Sequence, residues 1–366
     1  MKKILINSMS RTGTSLLYQL LYNHNKIFFP KYRIQFVCSP PFGWPLINNN
    51  QQRNIFDLLS KTTIPINSSK STSWHSMQIE FLDKVFNNDL NLFRKNKIEQ
   101  NKKLKLDECI LTLNDLLKIN VKNKEFICLH DDHSYLMGCS DLKYSGIDKI
   151  LTTLRNPLDM IASKKNMLIF HSFGQNNPSS VKLREEVLEK ELKRAIFSLL
   201  TSSYEYSISS NFLPIYFEHL KSKFRYETMI KVSNYLEVEF TNAMMTEDTD
   251  DDPSFFNELM FASSSLKHIS KGKSNRIVGS YKVSLVKEEL SFLKEIMDKM
   301  SFTDYSDDPF LFYKEFGRFW EDFPFEKFED LKNWFTLYRN KEYQKVFDLY
   351  SLYNYGSSNF EHVFKG

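Results

Sequence analysis

Glycine is scarce, with ten residues in a chain of 366. That excludes collagen-like and glycine-rich flexible architectures. Cysteine is scarcer: Cys38, Cys109, Cys128 and Cys139 are widely spaced and form no C-x-x-C pair. Zinc-ribbon and thioredoxin-like chemistry therefore lack their spacing. A disulfide scaffold is not expected at this size, and the reducing cytoplasm is the expected location. No apolar run approaches the roughly 20 residues that span a bilayer. Lys2 and Lys3 precede only Ile4-Leu5-Ile6 before Asn7 and Ser8, too short an apolar stretch for a signal peptide. Charge of one sign is also lacking. A net charge of +4 falls far short of a protein that binds nucleic acid by neutralising phosphates, yet suits an anionic small ligand. No metal-ligand spacing stands out, and no metal is expected.

What the chain does have is a core: 42% of residues are apolar and 15% are aromatic. Its densest basic run is Lys95, Lys97, Lys102, Lys103 and Lys105. That run reads as a solvated face, or as a patch meeting an anionic acceptor.

Residues 3–7 read as a short buried strand, and Leu16, Leu17, Leu20 and Leu21 follow at helical spacing. Residues 30–75 read as a loop-rich insertion and 76–120 as mostly helical and polar. Strands are predicted at Glu125–Leu129, Lys149–Leu154 and 212–217, and helices after Asn156-Pro157 and over 183–208. Asn can cap a helix, and Pro fits its first turn. A further helix carries Met229, Val232 and Leu236. Strands alternating with helices predict a parallel sheet covered on both faces. Ser306-Asp307-Asp308-Pro309 reads as a linker into a helical tail.

Two motifs carry chemistry. Ser10-Arg11-Thr12-Gly13-Thr14-Ser15 lies between the first strand and the first helix. A short loop there aims backbone N–H groups and a helix N-terminus at one point, a geometry that binds oxyanions. Arg11 adds charge, Thr12, Thr14 and Ser15 add hydroxyls, and Gly13 admits close backbone approach. It is not a Walker A loop, since the first Gly and the Lys are missing. The plainer reading is a Ser/Thr-rich helix start. The second motif is Arg155-Asn156-Pro157-Leu158-Asp159 with Ser163 two helical turns on. Arg155 ends a strand, where open α/β sheets bind ligands, and could clamp a second phosphate with Ser163. The plainer reading is an Arg–Asp pair capping a helix.

Together these motifs resemble the PAPS-dependent sulfotransferases (PAPS is 3′-phosphoadenosine 5′-phosphosulfate). Arg11-Thr12-Gly13-Thr14-Ser15 is similar to that family's 5′-phosphosulfate loop, with Arg in place of Lys. Arg155, Asn156, Pro157, Asp159 and Ser163 match its 3′-phosphate motif at every position. Tyr216-Phe217-Glu218-His219-Leu220 stands where the family has Y-E-D-L near the adenine, with Phe217 offering the aromatic face, and Tyr235-Leu236-Glu237 stands at the family's F-L-G. Asn275-Arg276-Ile277-Val278-Gly279-Ser280-Tyr281-Lys282 resembles the late G-x-W-[KR] loop. Arg276 is the candidate for the last 3′-phosphate contact, with Lys271 and Lys273 as rivals.

The resemblance implies a three-layer α/β/α fold around a central parallel sheet of four or five strands, similar to P-loop NTPases. The sulfotransferase domain would cover 1–305, with 30–120 as a divergent acceptor-side insertion, and 306–366 would form a helical C-terminal extension. It implies sulfuryl transfer from PAPS, leaving the bisphosphate PAP, without a metal. The acceptor would be a hydroxyl or amine of a carbohydrate, glycolipid or small metabolite. The family's catalytic His follows the strand before the R-N-P strand. Here that stretch is His130-Asp131-Asp132-His133, and family spacing favours His133 over His130. Asp131 or Asp132 would orient the imidazole or serve as the base. An unusual P-loop kinase and a degenerate nucleotide-binding module are the competing readings.

Overall fold

The computed structural model describes residues 2–9, 11–28, 63–64, 104–105, 124–131, 147–173, 181–246, 278–300, 307–343, 345–346, 349 and 364–365. Five strands form one sheet: β1 (Lys2–Asn7), β2 (Ile27–Phe28), β3 (Phe126–Asp131), β4 (Lys149–Leu154) and β5 (Phe212–Tyr216). They lie in the order β2-β3-β1-β4-β5, and every neighbouring pair is parallel. The helices that follow them are α1 (Thr14–Tyr22), α2 (Pro157–Phe173), α3 (Glu185–Ile208), α4 (Phe217–Leu220) and α5 (Arg225–Leu236). Beyond residue 277 come α6 (Tyr281–Ser284), α7 (Lys287–Met300), α8 (Pro309–Phe316), α9 (Phe319–Asp322) and α10 (Glu329–Arg339). No described helix is long and apolar enough to cross a membrane.

The strands are near-continuous apolar runs because both faces are covered, as parallel sheets require. Along β1, Leu5 joins a cluster with side chains of α2, α3, α7 and α10, among them Leu168, Leu192, Leu293 and Trp334. Its neighbours Ile4 and Ile6 point the other way, toward Leu16 and Leu20 of α1, Met229 of α5 and Phe312 of α8. This is the period-2 alternation of a strand dividing two packed faces.

Two boundaries differ from the sequence-based expectation. β3 runs two residues past Leu129, because His130 and Asp131 stay in register with Ile6 and Asn7 of β1. β5 ends at Tyr216, and Phe217 opens the short helix α4 instead of closing the strand. The predicted start of α2 holds: Asn156 Oδ1 accepts from Leu158 N–H at 2.9 Å, with Pro157 in the first turn. The segment read as a linker also starts a helix. The Asp308 carboxylate accepts from Phe310 and Leu311 N–H, and Pro309 is the first residue of α8.

Candidate functional site

Topology makes the site. The chain leaves β1 toward β2 on one side and leaves β4 toward β5 on the other. The two connections diverge above the β1–β4 pair, where an open α/β sheet forms its crevice. The loop after β1 carries Arg11–Gly13 and the loop after β4 carries Arg155. β5 is paired so that Leu154 stands opposite Tyr216, and therefore Arg155 emerges beside Phe217.

The first loop has an unusual backbone. Arg11 and Gly13 both have positive φ, 76° and 100°. Gly13 accepts from Leu16 and Leu17 N–H at the start of α1, and Ser15 lies in that helix's first turn. A Cβ added at Gly13 would fall 2.2 Å from Phe217 Cδ2, so glycine is required twice, by conformation and by space. Below the loop is a ladder of hydroxyls. Thr12 Oγ1 donates to the Met9 carbonyl at 2.7 Å and lies 2.7 Å from Thr153 Oγ1. Thr14 Oγ1 is 3.3 Å from the same Thr153 hydroxyl, and Ser8 Oγ accepts from both Thr153 N–H and Thr153 Oγ1 at 2.9 Å. Thr12 and Thr14 thus brace the loop on β4.

The two anion motifs meet directly. Arg11 Nε donates to Ser163 Oγ at 3.0 Å, and Arg155 Nη1 donates to the Arg11 carbonyl at 3.3 Å. Arg155, 7% exposed, sets its guanidinium over the Phe217 ring with Cζ 4.4 Å from the centroid. Burial pulls its pKa down, while Asp159, Glu218 and Tyr216 push it back up. An arginine stays charged under those opposing effects. Two guanidiniums, a positive-φ glycine turn and the N-termini of α1 and α2 are thus gathered at one edge of the sheet.

Asp159 and Glu218, both buried, complete the surroundings. The Asp159 carboxylate accepts from Gly279 N–H (2.7 Å), Ser280 Oγ (2.9 Å) and Tyr281 N–H (3.0 Å). It moors the turn before α6 to the first turn of α2. Glu218 Oε1 accepts from Asn156 N–H at 3.1 Å. Burial pushes its carboxyl up to about 7, against the lowering effect of Asn156 N–H, Arg155 and its own N–H; Asp159 adds to the rise.

Of the residues singled out in the sequence, Arg11, Thr12, Gly13, Arg155, Ser163 and Phe217 come together, with Thr14 just below. His130 pairs with Ile6 and Asp131, the last residue of β3, with Asn7, so the stretch 130–133 starts beside the strand that carries the first loop. Asp132, His133, Lys271, Lys273 and Arg276 lie outside the described residues, as does most of 30–120. Among the described residues, no three His, Cys, Asp or Glu side chains form a group that could hold a metal. Sequence reasoning assigned no role to Glu218 and saw Asp159 only as a motif position or a partner for Arg155. The available signal was that Glu218 immediately follows an aromatic residue at a strand end, on the same sheet edge as Arg155.

The fold is that of a parallel α/β protein, with two arginines and a glycine turn gathered at one edge of its sheet. No family model matches the chain, and no curated protein matches it. Among solved structures it is similar to the sulfotransferase domain from the Synechococcus PCC 7002 olefin synthase, at 13% identity over 81% of this chain and 94% of that one, with a TM-score of 0.39. It is also similar to the sulfotransferase domain from the curacin biosynthetic pathway (15%, 81% and 97%, TM-score 0.42). A third is a sulfotransferase from Alicyclobacillus acidocaldarius (16%, 77% and 99%, TM-score 0.37). All three likenesses are remote.

Proposed function

We propose that the chain is a sulfotransferase that moves a sulfuryl group from PAPS to a hydroxyl or amine of a small-molecule or glycan acceptor. The observation that supports this most is the junction of the two motifs, Arg11 on Ser163 and Arg155 on the Arg11 carbonyl. It makes one site with two fixed positive charges, as a donor with two separate anionic groups requires. The residues fit such a donor by charge and by the glycine turn at Gly13. PAPS, when bound, supplies the sulfuryl group and a bisphosphate leaving group. Arg11 would hold negative charge that builds on the leaving side, and Arg155 with Ser163 would hold the 3′-phosphate. The work is placement and electrostatic stabilisation, as in phosphoryl transfer. Phe217, packed against Gly13, lies under the Arg155 guanidinium and would hold it near the loop. His133, or His130 or Asp132 nearby, would take the acceptor proton; an imidazole suits that near neutral pH.

The test has two stages. Thermal stability is measured with PAP, ATP and GTP, each with and without Mg²⁺. Stabilisation by PAP supports the proposal, and stabilisation by ATP with Mg²⁺ alone indicates a kinase. Labelled PAPS is then offered with a panel of glycans, glycolipids and small alcohols and amines, and products are read by mass. PAP binding with no transfer to any acceptor would leave a nucleotide-binding module in place of an enzyme.

A further inference from the structure

Glu218 stands at the anion site with one carboxylate oxygen committed and the other not. Oε1 accepts from Asn156 N–H at 3.1 Å, while Oε2 is buried without a hydrogen-bond partner among the described residues. The residue is 4% exposed. The charged groups that act on it come from the elements packed around it. Arg155, before α2, favours the carboxylate, and Asp159, in the first turn of α2, opposes it. Tyr216 at the end of β5 acts on Arg155 in turn. After the Asn156 N–H bond, the group that most favours the Glu218 carboxylate is therefore the same guanidinium that an incoming phosphate would engage.

We propose that Glu218 is a positioning residue that takes up a proton when an anion binds at Arg155. In the empty site the carboxylate shares the Arg155 charge and holds the Asn156 turn. An arriving dianion would neutralise that guanidinium and add negative charge nearby. A carboxylate buried in such a field is relieved by protonation: one proton from solvent joins the carboxylate to give the neutral acid. The acid still accepts from Asn156 N–H through its carbonyl oxygen, and its new O–H makes the buried oxygen a donor. The turn stays in place while the competing charge disappears. The effect rests on the proposed nucleotide site.

The sign of the pH dependence follows. Burial already places the free carboxyl at about 7, and bound anion raises it further. Affinity is therefore greatest below about pH 7 and falls as pH rises through the bound-state value. The ligand's own phosphate, with a second ionisation near pH 6, gives the opposite sign: it releases protons on meeting cations.

The experiment is calorimetric titration of the full chain with PAP at pH 7.5 in Tris and in HEPES, whose ionisation heats differ. The expected wild-type result is net uptake of about half a proton per PAP bound, with affinity falling between pH 7 and pH 9. Glu218→Gln, a neutral near-isostere, should abolish the uptake and flatten the pH profile over that range. A merely structural Glu218 would lower affinity in the variant without changing the proton count. Binding with no uptake, or uptake that persists in Glu218→Gln, overturns this inference and leaves the nucleotide site standing. Failure of wild type to bind PAP overturns both. If Glu218→Gln does not fold, absence of uptake in wild type still overturns the inference, and Glu218→Asp, which shortens the side chain, should change the uptake at pH 7.5 if the inference holds.

Discussion

At the scale of single residues, two positions test the proposed site. Arg155 is buried, donates to the Arg11 carbonyl and stacks on Phe217. A charge-assisted contact to a phosphate is worth roughly 1.5–3 kcal/mol. Arg155→Ala should therefore weaken PAP at least about tenfold while changing the affinity of the analogue lacking the 3′-phosphate much less, as read by titration calorimetry. Equal losses for both would make Arg155 a brace for the Arg11 loop and nothing more. Gly13 is the other. Gly13→Ala places a methyl into the Phe217 ring and holds a non-glycine residue at φ 100°. The backbone term alone costs about 1–2 kcal/mol, and the clash adds to it. We expect the variant to lose PAP-induced stabilisation. With Phe217→Ala the two losses should not add, because the smaller side chain clears the steric term and leaves only the backbone one, as a double-mutant cycle of melting temperatures would show.

At the scale of elements, a buried ion pair joins α2 to α7. Lys165 Nζ lies 2.7 Å from Glu289 Oε2, and the side chains are 0% and 2% exposed. Glu289 also accepts from Leu183 N–H (2.7 Å) and Val286 N–H (2.8 Å). Removing one partner of such a pair strands the other charge. Lys165→Met should cost about 3–5 kcal/mol in urea unfolding. Adding Glu289→Gln should recover only part of that, since its one amide oxygen serves one of the two N–H groups, which bond different carboxylate oxygens, and its NH2 faces the other. The end of α5 offers the opposite kind of prediction. Glu237, where the resemblance has glycine, adopts φ 62°, and Val238 N–H bonds back to the Ser233 carbonyl at 3.0 Å in a helix-terminating turn that glycine usually fills. Its carboxylate pairs with Lys2 at 2.7 Å and Lys149 at 3.0 Å, but exposed pairs contribute little. Glu237→Gly should stabilise the protein by up to about 1 kcal/mol, seen as a higher Tm.

Much of this arrangement was legible in the sequence. The Arg-Thr-Gly-Thr-Ser and Arg-Asn-Pro-x-Asp runs mark loops at strand ends, because charge, glycine and helix-start residues coincide there. Short, near-continuous apolar runs marked four of the five strands; two-residue β2 is too short to stand out. What could not be read is pairing across the sheet. Nothing in Thr12 or Thr14 says that its hydroxyl turns down onto Thr153. Nothing in Glu218 says that a strand some sixty positions earlier sets Arg155 beside it. Such facts come from register, which a one-dimensional pattern does not encode.

For the whole molecule, the C-terminal helices share the sheet's core. The Phe312 ring stacks on Tyr216 at 5.4 Å and on Phe316 at 4.9 Å, and Ser203 Oγ donates to the Phe316 carbonyl. Trp334 and Tyr338 meet Phe197 edge-on at 5.7 and 6.0 Å, and Tyr338 OH donates to Glu205 Oε1 at 2.8 Å. Phe312, Phe316, Trp334 and Tyr338 are each at most 4% exposed. Fully burying one large apolar side chain contributes about 1.5–3 kcal/mol, and marginal stability is only about 5–15 kcal/mol. Truncation after residue 306 should therefore leave no cooperative unfolding transition, whereas an independently folded tail would leave the truncated chain with nearly wild-type melting. Circular dichroism against temperature decides between them.

The contact between Arg11 and Ser163 spans 152 positions of chain, and Phe217 lies farther along still. During synthesis on the ribosome, the Arg11–Gly13 loop emerges well before the groups that brace it, which are complete only after β5 has been made. Until then a nascent chain displays a loop rich in hydroxyls and charge without the arginine, serine and aromatic ring that turn it into a site. Nucleotide can therefore neither be captured by, nor assist, the earliest stages of folding. On the proposed nucleotide site, binding would report completion of the sheet, and retention on PAP-linked resin after pulse synthesis should be confined to chains longer than the β5 segment.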